Sequence, residues 1–386
     1  MGAGPSFTWV FDCGSRRTSR FDDYLRLWTR LNPQPIDWLF ISHFDLDHVS
    51  GLDALMSRSI VRDVMVPYVN ERELAYSFLE EISRDRLSPS FTELVADPAA
   101  FFATRGATRI TFLNGRGQEP RAEPRGEPTG PFDGEKGERD WVVQISPPPR
   151  KLEPLQAPAG GELRAEVQVV DGGECDISAS RMSCGVRLKP YRAPIQPRNF
   201  RGLTTTLHKK LGTMPSSKRR PGLGDLAFAI AHHARTPSGR NELRTIFAGY
   251  VGSSNRMSLS LLSVPSISAN SHWYVGRRYG WEGGPGQPAW LSTGDAELRD
   301  PSDLADWASA YAPELPSVRV LALPHHASDH NSDANLQNCC PEARLIASVK
   351  SGAKKHPGVH VVSAARARLE LVTEESGSEI EMDYYV

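Results

Sequence analysis

Four side chains of the kinds that bind divalent metals lie within six consecutive positions near the start of the chain. The stretch ISHFDLDHVSG, residues 41–51, contains His43, Asp45, Asp47 and His48. Neutral imidazoles and ionised carboxylates are ligands for zinc and manganese. A polar loop or a helix cap would account for one such histidine, but four candidate ligands this close together indicate a metal site.

The neighbouring elements are expected to bring these side chains together. The preceding segment, DWLFIS, has the continuous apolar character of a buried strand, so the four residues follow its carboxyl end. On an extended loop His43 and Asp45, at i and i+2, point the same way. At the start of the next helix, His48 can turn back beside Asp47.

Two later strands are predicted to end in similar side chains. WLSTGDAEL ends a strand with Asp295, and VLALPHHASDH ends another with His325 and His326. Three strand ends that each present a carboxylate or an imidazole predict a single metal site at the edge of a sheet. Because adjacent residues of a strand face opposite ways, we expect only one of His325 and His326 to coordinate.

The rest of the chain shows an interrupted alternation of predicted strands and helices. Strands are predicted at FTWVF, VRDVMVP, ATRITFL, RAEVQVV, LRTIFAGYV, MSLSLLSV, AWLSTG and VRVLALP. Helices are predicted at residues 20–31, 71–84, 200–211, 226–234 and 302–311. The last segment, RLELVTEE to EIEMDYYV, is expected to pair at a sheet edge.

A chain of 386 residues is long for one domain and short for three. We predict a single α/β domain over residues 1–386, with its core in residues 1–112 and 240–386. Residues 114–165 are predicted to be a flexible insertion, because Gly, Pro and charged residues dominate there. Residues 166–239 are predicted to be an inserted basic segment.

Composition indicates where in the cell the protein is expected to be found. No apolar run approaches eighteen residues, and the start, MGAGPSFTWVFDCGS, lacks the basic end and apolar stretch of a signal peptide. We therefore expect a soluble, cytoplasmic protein without membrane contact. Five cysteines with no Cys-x-x-Cys spacing indicate reduced thiols rather than a disulfide framework.

Positive charge is concentrated in one window. Residues 177–224 contain eleven Lys or Arg and no Asp or Glu, whereas the remainder has 34 basic against 46 acidic residues. A positive segment on a negative body is what a polyanion-binding surface requires, and a solvated loop is the alternative. The residues predicted to contact nucleic acid are Arg198, Arg201, Lys209, Lys210, Lys218, Arg219 and Arg220.

Several motifs together resemble those of the metallo-β-lactamase fold. HFDLDH followed by Gly51 is similar to that fold's His-x-His-x-Asp-His signature, with Asp45 in place of the second histidine. With FDCG, NRMSL, STGD, LPHHAS and KKHPG in this order, it resembles the metallo-β-lactamase-like domain of the ComEC family of competence proteins, the DNA-uptake channel. The resemblance covers residues 7–55 and 244–360. It implies an αββα sandwich with a metal site along one edge.

The resemblance also implies the roles of individual residues. Two metal sites would share Asp295 as a bridging ligand, and the pairs His43–Asp45 and Asp47–His48 would bind one metal each. The implied metal ligands are His43, Asp45, Asp47, His48, Asp295 and His325.

Three further residues are implied to support the metal centre. Asp12 matches an acidic residue after the first strand that accepts a hydrogen bond from a ligand histidine. His326 would turn away or support the loop. His356 would hold a substrate phosphate or protonate a leaving oxygen, so it is a candidate catalytic residue together with Asp47, although a surface histidine before Pro357 explains it equally well.

One departure from the family weakens the first metal site. No convincing third histidine lies between Gly51 and Asp295, where most of the superfamily has one; His272 follows a strand, and Asn255 occupies the ComEC-like position. We expect one or two Zn²⁺ ions, with Mn²⁺ as the alternative because the first site is poor in histidine.

The expected chemistry is metal-dependent hydrolysis. Two bound cations would lower the pKa of a shared water from about 16 towards about 7 and supply hydroxide at neutral pH. The fold does not choose the bond that is cleaved. We rank a phosphodiesterase acting on nucleic acid first. A small-molecule hydrolase of lactone, thioester or β-lactam type comes second. A non-catalytic subunit of a bacterial defence assembly, with a protein partner, comes third.

Overall fold

The computed structural model describes residues 7–16, 18–68, 88–115, 141–152, 165–181, 184–193, 197–212, 229–230, 232–233, 236–248, 250, 258–266, 272–277, 280–375 and 380–385. None of the helices in these ranges combines the length and the apolar character that spanning a bilayer needs. The predicted helix at 71–84 and most of that at 226–234 lie outside these ranges.

The strands are numbered in chain order. They are β1 (Trp9–Phe11), β2 (Ile36–Phe40), β3 (Val61–Pro67), β4 (Arg109–Leu113), β5 (Val142–Ser146), β6 (Arg150–Lys151), β7 (Glu166–Val170), β8 (Asp176–Arg181), β9 (Cys184–Arg192), β10 (Leu259–Ser266), β11 (His272–Arg277), β12 (Gly280–Pro285), β13 (Ala289–Ser292), β14 (Val318–Ala322), β15 (Arg344–Ser348), β16 (Leu369–Val372) and β17 (Glu381–Tyr385).

The α-helices are α1 (Thr18–Leu31), α2 (Leu46–Val49), α3 (Leu52–Arg58), α4 (Pro89–Ala96), α5 (Pro98–Thr104), α6 (Pro197–Leu211), α7 (Pro237–Ala248), α8 (Pro301–Tyr311), α9 (Ala334–Cys339) and α10 (Val359–Ala365). Local sequence sets several of their starts. Ser88, Asp97 and Asp300 each cap a helix whose first residue is proline, and their side chains accept hydrogen bonds from backbone N–H groups of the first turn.

Two large sheets form the centre of the molecule. The first has the order β1-β2-β3-β4-β7-β6, and its strands are parallel except for β6. The second has the order β16-β15-β14-β13-β10-β9-β8-β5, with a parallel half from β13 to β16 and an antiparallel half from β10 to β5. A third, antiparallel sheet has the order β12-β11-β17.

The two large sheets and the helices on their outer faces form four layers. Trp38 and Phe40 of β2 pack with Ile177 of β8 and Leu261 of β10, so one core cluster lies between the two large sheets. The opposite face of the first sheet packs against α1 and α3 to α7. The opposite face of the second sheet packs against α8, α9 and α10, with Trp307 buried at the centre. The predicted αββα sandwich is confirmed.

The strand pairing does not follow the predicted bounds of the core and of the inserted segments. Strands β7, β8 and β9 come from the segment 166–239 and pair inside both large sheets, so this segment is part of the core. Strands β5 and β6 come from the segment 114–165, whose residues 116–140 and 153–164 lie outside the described ranges. Period-two patterns this short are hard to separate from irregular chain when Gly and Pro surround them.

The predicted strand LRTIFAGYV is also wrong. Most of this segment belongs to α7, in which Leu243 is buried and Ile246, three residues later, packs against the same cluster. Leu203 and Leu207 of α6 supply the facing apolar residues at a spacing of four. Apolar residues three and four positions apart are typical of two helices that pack together. The β-branched residues of the segment favour a strand instead, so the two sequence signals conflict.

Candidate metal centre

The carboxyl end of β2 leads directly into a buried polar loop. His43 and Asp45 are 2% and 3% exposed, and Asp45 is the residue before α2. The backbone N–H of His48 donates to the Asp45 carbonyl at 2.9 Å, which folds the first turn of α2 back over the loop. As a result, the rings of His43 and His48 lie with their centroids 4.1 Å apart. The loop thus brings the His43 and His48 rings together.

Asp12, at the end of β1, orients this loop. Its carboxylate accepts hydrogen bonds from the Ser42 N–H at 2.7 Å and from the Ser42 hydroxyl at 2.6 Å. The same carboxylate lies 2.8 Å from Nδ1 of His48. This contact places the Nδ1 proton of His48 next to a carboxylate and turns Nε2 towards the cluster. The supporting role implied for Asp12 therefore has a matching contact.

Asp295 reaches the cluster from the second large sheet. It follows β13 after Gly294, whose φ of +55° suits glycine and whose Cβ, if present, would lie 2.3 Å from the Ser258 hydroxyl. The N–H of Asp295 donates to that hydroxyl at 2.9 Å, and the amide of Asn331 donates to its carbonyl at 2.9 Å. Its carboxylate is thereby fixed 3.4 Å from His48 Nε2 and 3.8 Å from His43 Nε2.

The two histidines after β14 both face the cluster. Strand β14 ends at Ala322, and His325 to Ala327 form a short 3₁₀ turn in which all three residues have positive φ. His325 Nδ1 lies 2.9 Å from Asp295, and His326 Nε2 lies 3.7 Å from Asp47. The premise that these residues lie on a strand and face opposite ways is wrong, because the turn presents both rings to one side.

His326 is held in the orientation that metal-binding histidines commonly show. Its Nδ1 lies 2.6 Å from the carbonyl of Ser348 at the end of β15, which leaves Nε2 directed towards Asp47. The ligand role implied for His325 and the supporting role implied for His326 remain predictions. The geometry shows that either ring can reach a carboxylate of the cluster.

Arg16 is a neighbour of the cluster that sequence patterns did not single out. Its Nε lies 3.0 Å and one terminal nitrogen 3.4 Å from the two carboxylate oxygens of Asp47. The Arg16 side chain is 54% exposed, whereas that of Asp47 is 13% exposed. Position 16 follows the FDCG motif, but its pairing with a residue 31 positions away depends on the parallel register of β1 and β2.

The cluster stabilises charged forms of both acids and bases. Burial would raise the pKa of Asp295, but His48 and His325 outweigh it and hold that pKa well below its usual value. Burial would lower the pKa of His48, but Asp295 and Asp12 raise it well above its usual value. His326 and Arg16 likewise outweigh burial and lower the pKa of Asp47. The carboxylates of Asp47 and Asp295 are therefore ionised at neutral pH.

The donor set fits a divalent metal. His43 Nε2 and His48 Nε2 are buried and make no hydrogen bond with any described residue. Buried polar atoms without hydrogen bonds are costly, so both nitrogens favour a bound ligand between them and the neighbouring carboxylates. One ligand atom each from His43, His48 and Asp295 lie within 4.8 Å of one another. Imidazole nitrogen and carboxylate oxygen are the donors that zinc accepts, with manganese as the harder alternative.

His356 lies at the mouth of the same cluster. Its ring centroid is 5.7 Å from that of His325 and 6.0 Å from that of His326. Burial, followed by the two neighbouring imidazoles, lowers the pKa of His356. Its Nδ1 is buried and makes no hydrogen bond with any described residue. The lowered pKa favours the neutral imidazole, which can accept a proton beside the candidate metal ligands. Protonating a leaving oxygen or holding a phosphate as a cation would need the protonated form.

Other predicted residues lie away from the cluster or outside the described ranges. His272 begins β11, is exposed, and belongs to the three-stranded sheet. Lys209 and Lys210 are exposed near the end of α6, and Lys210 pairs with Glu242 of α7. The backbone of Arg198 and Arg201 belongs to α6. The residues outside the described ranges are Lys218, Arg219, Arg220 and Asn255.

Comparison with known families agrees with this geometry. Residues 8–147 match the model of the metallo-beta-lactamase superfamily. The matched region contains Asp12 and the loop from His43 to His48, but not Asp295 or His325. No curated protein matches the chain. The match supports a metallo-β-lactamase superfamily domain, and the four-layer sandwich is consistent with that fold. Members of this superfamily are mostly metal-dependent hydrolases that bind divalent metals, typically zinc.

Proposed function

We propose that this protein is a metal-dependent phosphodiesterase that cleaves nucleic acid. The observation that carries the metal-dependent part is the buried cluster of His43, His48 and Asp295, in which two imidazole nitrogens have no hydrogen-bond partner among the described residues. The superfamily match over residues 8–147 supports the same chemistry. The nucleic-acid substrate is supported by the ComEC-like order of the motifs and by the basic window.

The chain provides the surroundings for such a reaction. A divalent metal held by His43, His48, Asp295 and the neighbouring carboxylates would supply a Lewis acid and lower the pKa of a coordinated water. Asp12 and Ser42 keep the loop after β2 in one orientation through the hydrogen bonds described above. The His356 imidazole, neutral because its pKa is lowered, can move a proton at the mouth of the site.

One observation favours a small-molecule hydrolase as the second candidate. Part of the basic window is used inside the fold: Arg187 pairs with Glu314, Lys189 donates to the carbonyl of Ala310, and Arg192 is buried and donates to the carbonyl of Tyr68. These charges do not contribute a free surface for a polyanion. The argument from eleven clustered charges therefore applies to fewer residues than the sequence suggested.

The deciding experiment combines metal content with substrate choice. Protein purified without chelator is analysed for bound metals and assayed with bis(4-nitrophenyl) phosphate, a lactone, a thioester and a β-lactam. We expect bound zinc or manganese and turnover of the phosphodiester alone. Turnover of only a carbonyl substrate would favour the second candidate, and metal-replete protein without any turnover would favour a non-catalytic subunit.

A further inference from the structure

A second basic surface lies directly beside the candidate metal centre. The lysine loop, residues 349–358, connects β15 to α10 and ends with His356, Pro357 and Gly358. Its lysines are Lys350, Lys354 and Lys355, and all three are exposed. Among the described residues, none of the three side-chain ammonium groups forms an ion pair or a hydrogen bond. Their charges are therefore available to a ligand.

The lysine loop is fixed to the metal centre at both ends. At its start, the Ser348 carbonyl lies 2.6 Å from His326 Nδ1. At its end, the Gly358 N–H donates to the carbonyl of Ala327 at 2.9 Å, in the turn that contains His325 and His326. Gly358 also has no room for a side chain, since a Cβ would lie 2.2 Å from the Asp329 carboxylate. The loop and the histidine turn are held as one unit.

The middle of the loop is ordered by a tight turn. The N–H of Ala353 donates to the Lys350 carbonyl at 3.0 Å, and Gly352 has the positive φ of +68° that such a turn allows. Ser351 donates to Glu374 at 2.9 Å and to Glu375 at 2.5 Å, in the segment after β16. Preorganised positions reduce the entropy lost when a ligand binds.

This arrangement differs from that of the basic window. Lys210 pairs with Glu242, while Arg187, Lys189 and Arg192 serve the fold. The helix α6 packs against α7, whereas the lysine loop contacts the metal centre at His326 and Ala327. The loop is thus the basic element whose position relative to the candidate site is fixed by contacts.

We propose that the lysine loop binds the backbone phosphates of a polynucleotide next to the bond presented to the metal centre. This proposal rests on the proposed function and names the surface that holds its substrate. Lysine ammonium groups bind phosphates as point charges and do not read base identity. Binding should therefore depend steeply on salt and little on base sequence, because each contacted phosphate releases counterions.

The test measures binding of a fluorescently labelled single-stranded oligodeoxynucleotide across a salt series, in chelator, so that no cleavage occurs. Lys354→Gln/Lys355→Gln is compared with the wild type and with Lys209→Gln/Lys210→Gln on α6. Loss of two phosphate contacts should reduce the slope of log affinity against log salt by about 1.4 for a single strand. A reduced slope in the loop variant supports the proposal, whether or not the α6 variant changes as well.

An unchanged slope in the loop variant, or a wild type that does not bind, overturns the proposal. Turnover of bis(4-nitrophenyl) phosphate by the wild type, measured on the same metal-replete preparation, separates this failure from that of the proposed function. Turnover together with an unchanged slope rejects the lysine loop and keeps the phosphodiesterase. No turnover of the phosphodiester by metal-replete wild type rejects the phosphodiesterase, and the slope alone then decides whether the lysine loop binds a polynucleotide.

Discussion

His48 Nδ1 lies 2.8 Å from the Asp12 carboxylate, and this contact turns His48 Nε2 to within 3.4 Å of Asp295. Asp12 follows β1, His48 lies in α2 and Asp295 follows β13, so the contact joins distant parts of the chain into one site. Carboxylates placed in this way fix the tautomer and orientation of a ligand histidine and raise its basicity.

Asp12→Asn should weaken metal binding without unfolding the protein. Loss of the carboxylate removes the charged partner of His48 Nδ1, and changes of this kind cost about 10- to 100-fold in metal affinity. The measurement is a Zn²⁺ competition titration against a chromophoric chelator. Asp37→Asn is the matched control, because Asp37 is a buried acid of β2 that pairs with Arg62 rather than with the cluster. Equal affinities for the two variants would contradict the orienting role.

Asp47→Ala should lose bound metal. Its carboxylate contacts Arg16 and faces His326, and its lowered pKa keeps it ionised at neutral pH. Metal content per chain is measured by elemental analysis after purification without chelator. Asp53→Ala, on α3, removes an acid that pairs with Arg105 and serves as the control. Full metal occupancy and activity in Asp47→Ala would mean that the ligand assignment is wrong.

Arg16→Ala should strengthen metal binding. Arg16 occupies both oxygens of Asp47 and places a positive charge beside the position that a cation would take. The Arg16 side chain is mostly exposed, and exposed ion pairs are worth up to about 1 kcal/mol. Because the metal no longer has to displace this pair in Arg16→Ala, its affinity should rise by about fivefold at most. The same competition titration measures it. A weaker affinity in Arg16→Ala would show that the guanidinium positions Asp47 as a ligand rather than competing for it.

Alanine variants of His325 and His326 test which ring binds metal. The sequence resemblance predicts that His325→Ala loses metal and His326→Ala does not. The structure places both rings beside carboxylates, so we expect at least a tenfold loss of affinity in both variants. Zn²⁺ titration of each variant decides between these outcomes. Loss in His326→Ala alone would reverse the assignment that the resemblance implies.

The metal-free protein should become less stable as pH rises above about 6.5. The pKa of His48 is higher in the folded protein than in the unfolded chain. Its contribution to the free energy of unfolding is therefore complete below the unfolded-state pKa and is lost as pH rises through the folded-state pKa. The pKa values of His43 and His326 are raised too and act in the same direction. That of His356 is lowered and acts in the opposite direction, but this residue is only partly buried.

Added Zn²⁺ should reverse this trend, because ligand imidazoles must lose their protons to bind it. The measurement is the melting temperature between pH 6 and pH 9, in chelator and with excess Zn²⁺. A His48→Gln variant should flatten the profile in chelator. Parallel profiles with and without Zn²⁺ would show that no imidazole of the cluster binds the ion.

Residues close together in the chain made part of this site predictable. The spacing of His43 to His48 after an apolar strand was sufficient to place these side chains together, since a strand end and a following helix turn are local features. The ends of β13 and β14 were predicted for the same reason. They were combined on the premise that the strands end at one edge of a single sheet, whereas β2 belongs to the first large sheet and β13 and β14 belong to the second.

Contacts that depend on register or on unusual backbone were not predictable. The approach of Arg16 to Asp47 needs the exact pairing of β1 with β2, and no local pattern encodes it. The turn that presents both His325 and His326 uses positive φ at non-glycine residues, which sequence patterns do not indicate. Residues 243–248 were predicted as a strand because their apolar spacing fits either element until the facing helix is known.

The candidate ligands come from opposite halves of the sandwich. His43 and His48 follow β2 of the first sheet, while Asp295 follows β13 of the second, and about 250 residues of chain separate them. An ion bound here would crosslink the ends of this long loop and connect the two large sheets. Loss of the ion would abolish the metal-dependent reaction, and it would also allow each sheet to unfold locally without the other. Hydrogen exchange of β2 and β13 would then become uncoupled in chelator.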